Sequence, residues 1–286
     1  MQTVHTIFHL RSTVDQWRDR RERIAFVPTM GNLHAGHLQL VERASRAADR
    51  VVVSIFVNPT QFGANEDLAA YPRTLNKDSL KLAENNVHLL FIPEVEEIYP
   101  YGSDNTVRIE VPGLSGILCG VSRPTHFSGV ATVVAKLFNA VRPHVALFGE
   151  KDYQQLLVVR RLVADLCMPI EIIGVPTVRE QDGLALSSRN HYLSPEERRQ
   201  APALYRTLQW IGERLTAGVR DYDSLVGQGI TRLEESGLRP EYLAIRRAED
   251  LAPPQVVDSQ LRILGAAWLG KARLIDNLAV TLKDQG

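Results

Sequence analysis

At 286 residues the chain is long enough for about two domains and to hide roughly three quarters of its unfolded surface, so a core needs no disulfide or structural metal. Apolar residues make up 44% and charged residues 23%, which excludes a disordered polymer. The 33 basic and 33 acidic residues cancel, which argues against a dedicated nucleic-acid binder, because such proteins carry a net basic field. The densest basic run, Arg18, Arg20, Arg21 and Arg23, is interrupted by Asp19 and Glu22 and reads as a solvated helix face. Cys119 and Cys167 are too far apart in sequence for a disulfide framework or a zinc knuckle, and they fit a reducing compartment. The N-terminus lacks the layout of a secretory leader. The strongest apolar run, 51–57, is too short to span a bilayer. The expectation is a cytoplasmic protein with neither membrane nor nucleic-acid partner.

In chain order, Ser12 with Asp15 reads as a capping box opening a helix that carries Val14 and Trp17. Residues 24–28 read as a buried strand, 36–48 as a helix with Leu38, Val41, Ala44 and Ala48 on one face, and 51–57 as a second buried strand stopped by Asn58 and Pro59. A helix at 74–85 and a strand at 88–92 follow. Residues 106–111 alternate polar and apolar, as a half-exposed strand would. Then come a helix at 127–141, a strand at 145–148, a helix at 153–166 and a strand at 170–175. Near-continuous apolar strands separated by helices imply a parallel sheet covered on both faces. After Pro176 the pattern changes: Ser194 and Pro195 make a strong helix start, helices are expected at 195–217 and 222–236, and short strands at 241–247, 261–268 and 275–282. The predicted fold class is α/β: a Rossmann-like doubly wound parallel sheet over 1–176, followed by a smaller α+β domain over 177–286.

The most informative stretch is PTMGNLHAGH at 28–37, which joins a buried strand to a helix N-terminus. Ligands of open parallel sheets bind beyond the carboxyl ends of strands, and a helix N-terminus offers unpaired N–H groups to phosphate. Gly31 and Gly36 permit close backbone approach. His34 and His37, three apart, share one face of a helical turn. They can stabilise charge on phosphate oxygens, ligate a metal with a distant third ligand, or serve structure alone. The loop is neither a Walker A loop nor a dinucleotide fingerprint. At the end of the second strand, Asn58 and Gln61 set amides where hydroxyl and carboxylate groups would be gripped. Lys151, after the strand at 145–148, is a point charge suited to triphosphate, with Gln155 one turn beyond it. Ser187, Ser188 and Arg189 offer hydroxyls and a planar fork to phosphate oxygens.

The 28–37 segment resembles the signature of the pantoate–β-alanine ligase family, within the larger HxGH nucleotidylyltransferase superfamily. Further segments match that family in order: VSIFVNPTQFG at 53–63, NEDL at 65–68 with YPRT at 71–74, CG at 119–120, RPTHFSGV at 123–130, FGEKDYQQ at 148–155 and LALSSRNHYL at 184–193. Thr125 stands where the family has glycine, which would be strained if that position needs a positive φ. His126 reads either as a helix-start structural residue or as part of the matched block. A role for Cys119 in the chemistry is not expected, because the implied mechanism needs no thiol.

What the resemblance implies is ATP-dependent condensation of pantoate with β-alanine through a pantoyl adenylate, releasing pyrophosphate and AMP. His37, His34 and Lys151 are implied as catalytic. Met30, Gly31, Asn32, Leu33, His34, Ala35, Gly36 and His37, then Gly149, Glu150, Lys151 and Asp152, then Val178 and Leu186, Ser187, Ser188 and Arg189 are implied as the ATP contacts. Gln61 and Gln155 would hold pantoate, and Gln61 also β-alanine. Mg²⁺ would arrive with the triphosphate, the segment from 65 to 74 would be a mobile cover, the C-terminal domain would close over the ATP site, and the protein would be a homodimer. The rivals are another HxGH adenylyltransferase with a different acceptor, which would want extra basic residues for a phosphorylated partner, and a nucleotide-sensing module without turnover.

Overall fold

The structure is a computed structural model and describes residues 1–63, 68–69 and 71–282. The chain divides into two compact units, Met1–Glu150 with Gln155–Pro176, and Lys151–Gln154 with Thr177–Gly286.

The first unit runs β1 (Gln2–Val4), α1 (Ile7–Asp19), β2 (Ile24–Thr29), α2 (Ala35–Ala47), β3 (Arg50–Ile55), α3 (Leu75–Glu84), β4 (Leu89–Phe91), the short turns α4 (Val95–Ile98) and α5 (Cys119–Ser122), α6 (His126–Val141), β5 (Val145–Gly149), α7 (Tyr153–Asp165) and β6 (Glu171–Val175). Its six strands are all parallel, in the order β1-β4-β3-β2-β5-β6. Residues 24–27 of β2 are wholly buried, because each face has its own cover. Ala25 and Val27 join Leu40, Val41 and Ala44 of α2 on one side. Phe26 meets Phe138 of α6 edge-on at 6.3 Å on the other. This is why the strand reads as a continuous apolar run and not an alternating one. From β2 the sheet grows outward in both directions, toward β3 and toward β5, so a crevice opens at the carboxyl ends of β2 and its neighbours. The loops after β2, β3 and β5 all leave from that edge.

The opposite edge is tied by two half-buried histidines. His144 Nδ1 accepts from the Ile24 N–H at 3.0 Å and His88 Nδ1 from the Val51 N–H at 3.1 Å, so imidazoles satisfy backbone donors at the starts of the two central strands. Burial, with nearby arginines, holds both rings below the usual histidine value.

The second unit packs α8 (Pro195–Gln200), α9 (Ala203–Thr216) and α10 (Tyr222–Glu235) with an antiparallel meander of β7 (Arg239–Arg247), β8 (Gln260–Leu269) and β9 (Ala272–Thr281). Its core joins Leu204, Leu208, Ile211 and Leu215 of α9 to Ile245, Leu261, Ile263 and Val280 of the sheet.

Four expectations are corrected. Helix α1 starts before Ser12: Thr6 is its N-cap, accepting from His9 N, and the buried stripe Leu10, Val14 and Trp17 needs the longer helix. Residues 106–111 form no strand. Their alternation is satisfied by side chains instead, Ile109 N donating to Thr132 Oγ1 at 2.9 Å and Val111 N to Ser115 Oγ at 3.3 Å. The helix expected over 195–217 breaks at Ala201 and Pro202, since proline has no N–H to continue it. Finally, β1 is an addition to the predicted elements, three residues being too few to show a period. The Ser194 start holds, with Ser194 Oγ accepting from Glu197 N and Glu197 Oε2 from Ser194 N. Residues 65–67 and 70 of the expected cover lie outside the described residues.

Candidate active site

Strand β2 ends at Thr29, whose hydroxyl donates to Ser54 O at 2.7 Å and accepts from Gly31 N at 3.3 Å. The chain then turns through two residues with positive φ, Gly31 at 83° and Asn32 at 51°. A side chain at Gly31 would be strained and would press on Ile55 and Asp78. Asp78 of α3 is buried and clamps the turn: Oδ2 accepts from Asn32 N and Oδ1 from Leu33 N, both at 2.8 Å, and Thr74 Oγ1 donates to Oδ2 at 3.0 Å. Lys81, one turn on, donates to Leu33 O. Helix α3 thus holds the loop by both its N–H and its C=O groups. Sequence reading did not single out Asp78 or Lys81.

His34 is the N-cap of α2 and His37 its third residue, and they cap each other. His34 Nδ1 accepts from Gly36 N at 3.1 Å, and His37 Nδ1 accepts from His34 N at 3.3 Å. The rings stand 4.1 Å apart, tilted by 45°. Because a backbone N–H can only donate, both Nδ1 atoms are acceptors, so each neutral ring carries its proton on Nε2. Two imidazole N–H donors are thereby set at the helix end where the dipole favours an anion. Among the described residues no group of three His, Cys, Asp or Glu is placed to hold a metal ion.

The chain after β3 makes a 3₁₀ turn, Pro59–Gln61, capped by Asn58. Asn58 and Gln61 are both buried. Asn58 Nδ2 donates to Gln61 Oε1 at 3.1 Å and to Gly129 O at 3.2 Å, and Gln61 Nε2 lies 2.8 Å from Met30 Sδ. Gln61 is therefore brought against the loop that carries the histidines. His126 Nδ1 and Arg123 Nη2 both reach Gln61 O, at 3.0 and 3.4 Å, so His126 holds the turn in place. Gly129 makes this approach possible: a Cβ there would fall 2.4 Å from Thr60 O. Thr125, at φ −95° and ψ −9°, is unstrained, so the exchange of glycine for threonine costs nothing in backbone conformation.

Gly149 closes β5, Glu150 follows it, and Gln155 lies half-buried in the first turn of α7. Lys151 is not on that helix but in the 3₁₀ turn Glu150–Asp152 before it. Within the second unit the Lys151 carbonyl accepts from Asn277 Nδ2 at 2.9 Å, Tyr153 OH donates to Ala248 O at 2.8 Å, and the Arg262 guanidinium stacks 3.6 Å above the Tyr153 ring. Lys151 and Ser187 line one small pocket with Asn190 and Asp276. Asp276 takes the fork of Arg179 and the Asn277 N–H. Burial holds its carboxyl above the usual carboxylate range, the Arg179 hydrogen bonds and charge opposing it only in part. Val178 is paired with Leu186, whose N–H donates to the Val178 carbonyl at 2.9 Å. Ser187 caps the 3₁₀ turn Ser188–Tyr192 by accepting from Arg189 N at 3.2 Å, leaving its hydroxyl proton to donate elsewhere. Asp152 is half-buried, its carboxylate 3.8 Å from Lys151 Nζ. Neither cysteine is in a disulfide; Cys119 is buried and Cys167 exposed.

A six-stranded parallel sheet whose carboxyl edge presents a reciprocally capped histidine pair on a helix N-terminus defines an α/β enzyme of the HxGH type. Within that class the chain belongs to the family described as pantoate-beta-alanine ligase, whose model matches residues 2–279. It is 58% identical over 282 residues to the pantothenate synthetase of Pseudomonas aeruginosa strain UCBPP-PA14, covering 99% of this chain and 100% of that protein. The pantothenate synthetase of Pseudomonas entomophila is also 58% identical, over 285 residues, covering 100% of this chain and 99% of the relative. Among solved structures, the pantothenate synthetase of Thermus thermophilus matches with a TM-score of 0.91 at 51% identity, over 97% of this chain and 99% of that one. The pantoate-beta-alanine ligase of Francisella tularensis, complexed with "Beta-gamma ATP" and β-alanine, matches with a TM-score of 0.82 at 37% identity, over 97% of each chain.

Proposed function

We propose that the chain joins pantoate to β-alanine at the expense of ATP in two half-reactions. In the first, a pantoate carboxylate oxygen bonds to the α-phosphorus of ATP and the bond to pyrophosphate breaks. In the second, the β-alanine amine attacks the carbonyl of the pantoyl adenylate, AMP leaves, and the amine proton passes to water or phosphate. The observation that carries this reading is the His34–His37 cap, which fixes both rings as Nε2 donors at a helix N-terminus. A carboxylate nucleophile needs no base, so catalysis reduces to aligning reactants and neutralising charge that spreads over phosphate oxygens. Imidazole donors with a fixed tautomer do that without reorganising. The Francisella relative, complexed with an ATP compound and β-alanine, supports the same substrates here.

In this reading His37, His34 and Lys151 stabilise the transferring phosphate. Residues 30–37 and Gly149 and Glu150 in the first unit, and Lys151, Asp152, Val178 and residues 186–189 in the second, bind ATP. Gln61 and Gln155 hold pantoate, and Gln61 also β-alanine. Mg²⁺ enters on the triphosphate, and the working species is a cytoplasmic homodimer. The test is pyrophosphate release with ATP, Mg²⁺ and pantoate, followed by AMP release once β-alanine is added. A single-turnover pyrophosphate burst, then steady AMP, is expected. ATP binding without pyrophosphate release would assign the site to another acceptor.

A further inference from the structure

We propose that Tyr99 is a positioning residue that buttresses the orientation in which the Gln61 side-chain amide is offered to substrate. The proposal rests on Gln61 being a substrate contact, as above.

The polarity of the network can be read from two backbone groups that have no choice of role. The Thr60 N–H can only donate, and it lies 3.3 Å from Asn58 Oδ1. The Gly129 carbonyl can only accept, and it lies 3.2 Å from Asn58 Nδ2. The Asn58 amide is therefore oriented from both ends. Its second Nδ2 proton goes to Gln61, 3.1 Å away, so the Gln61 atom facing it must be the oxygen. Gln61 Nε2 consequently turns the other way and rests against Met30 Sδ, a weak acceptor. An oxygen of a bound hydroxy acid is a better partner for that NH₂ group than a thioether, so this position selects ligand acceptors over ligand donors.

Tyr99 supports the arrangement from behind. Its hydroxyl donates to Asn58 Oδ1 at 2.7 Å, the shortest of that oxygen's contacts, with Thr60 Oγ1 at 3.0 Å beside it. The ring is fully buried against Phe56, with Lys136 Nζ 5.1 Å from its centroid. Burial raises the phenol above the ordinary tyrosine range, which keeps the hydroxyl protonated and donating. Tyr99 reaches Gln61 only through Asn58 and Thr60. Without the hydroxyl, the buried Asn58 oxygen loses its closest donor and the orientation of the Gln61 amide is less firmly held.

The test is steady-state kinetics of Tyr99→Phe, which keeps the ring and removes the donor, in the wild-type and Gln61→Ala backgrounds. In the wild-type background the pantoate KM should rise about 3- to 10-fold, the value of one buried hydrogen bond, with the ATP KM inside about twofold of the starting value. In the Gln61→Ala background the same change should leave the pantoate KM where Gln61→Ala alone puts it, because the effect travels through that amide. A merely structural tyrosine would shift thermal stability and leave this split unmoved. An unchanged pantoate KM in Tyr99→Phe, or the same rise in both backgrounds, overturns the positioning role while leaving Gln61 as a substrate contact. An unchanged pantoate KM in Gln61→Ala removes that contact, and the proposal falls with it.

Discussion

Replacing Asp78 by Asn tests what holds the histidine loop. The exchange is isosteric, yet the carboxyl meets donors on both oxygens: Leu33 N on one, Asn32 N and Thr74 Oγ1 on the other. The threonine hydroxyl can rotate and accept, but the two backbone N–H groups cannot. Whichever way the new amide turns, one N–H loses its acceptor and faces an NH₂ group. A lost hydrogen bond to a carboxylate costs about 1.5–3 kcal/mol, which for a unit of this size lowers the midpoint of thermal unfolding by roughly 3–12 °C. The same loop leads straight into His34, so turnover falls as well. The assay is a thermal melt followed by circular dichroism, with pyrophosphate release measured well below the transition. A variant that melts within about 1 °C of wild type with full turnover would refute the claim that α3 sets the loop.

Three further outcomes follow from the geometry. Gly129→Ala puts a methyl 2.4 Å from Thr60 O, so α6 and the turn at Pro59–Gln61 must part. A loss of about 1–3 kcal/mol with a raised pantoate KM is expected, and an unaltered melt and KM would contradict the packing. His37→Ala and Lys151→Ala should each lower kcat by about 100-fold or more with the fold retained, His37→Ala also losing about 0.5–2 kcal/mol because it removes the acceptor of the His34 N–H at the start of α2; variants that unfold outright instead would reassign both residues to structure. His88 and His144 titrate below their ordinary value of 6.5 when folded, so the unfolded chain binds their protons first as pH falls. Their stabilising contribution is complete above about pH 6.5 and is lost as pH drops through the folded values. Melting temperature against pH should show this acid loss, and it should shrink in His144→Asn, whose amide oxygen can still accept from Ile24 N but does not titrate. An identical slope in that variant would remove His144 from the effect.

Much of the fold was legible in the chain because the first unit's strands are covered on both faces. Residues 24–27 and 51–53 carry enough apolar side chains in a row to announce a buried parallel strand whatever their neighbours do. The elements misread are those where local pattern and tertiary partner disagree. Residues 106–111 alternate as a strand should, but no strand runs beside them, and the backbone finds Thr132 and Ser115 instead. Strand β1 exists only because β4 offers it a ladder. The break at Pro202 was written in the sequence, as an internal proline.

The site shows a different limit. Residue types and their spacing placed His34 and His37 on one face, but hydrogen-bond direction decides what such groups offer a ligand, and direction is set by backbone groups distant in sequence. The histidines became Nε2 donors because Gly36 and His34 lend their N–H groups to Nδ1. Gln61 turned its NH₂ group toward Met30 because Gly129, on another helix, takes one proton of Asn58. No spacing rule carries that information, since an amide or a neutral imidazole can be flipped without changing the sequence. Asp78 escaped notice for a related reason: as one acid in a polar helical stretch it reads as surface, and only the turn of positive-φ residues behind Gly31 gives it N–H groups to hold. Such residues lie one layer behind the proposed substrate contacts, and they are the positions where an isosteric exchange, Asp to Asn or Tyr to Phe, separates direction from shape.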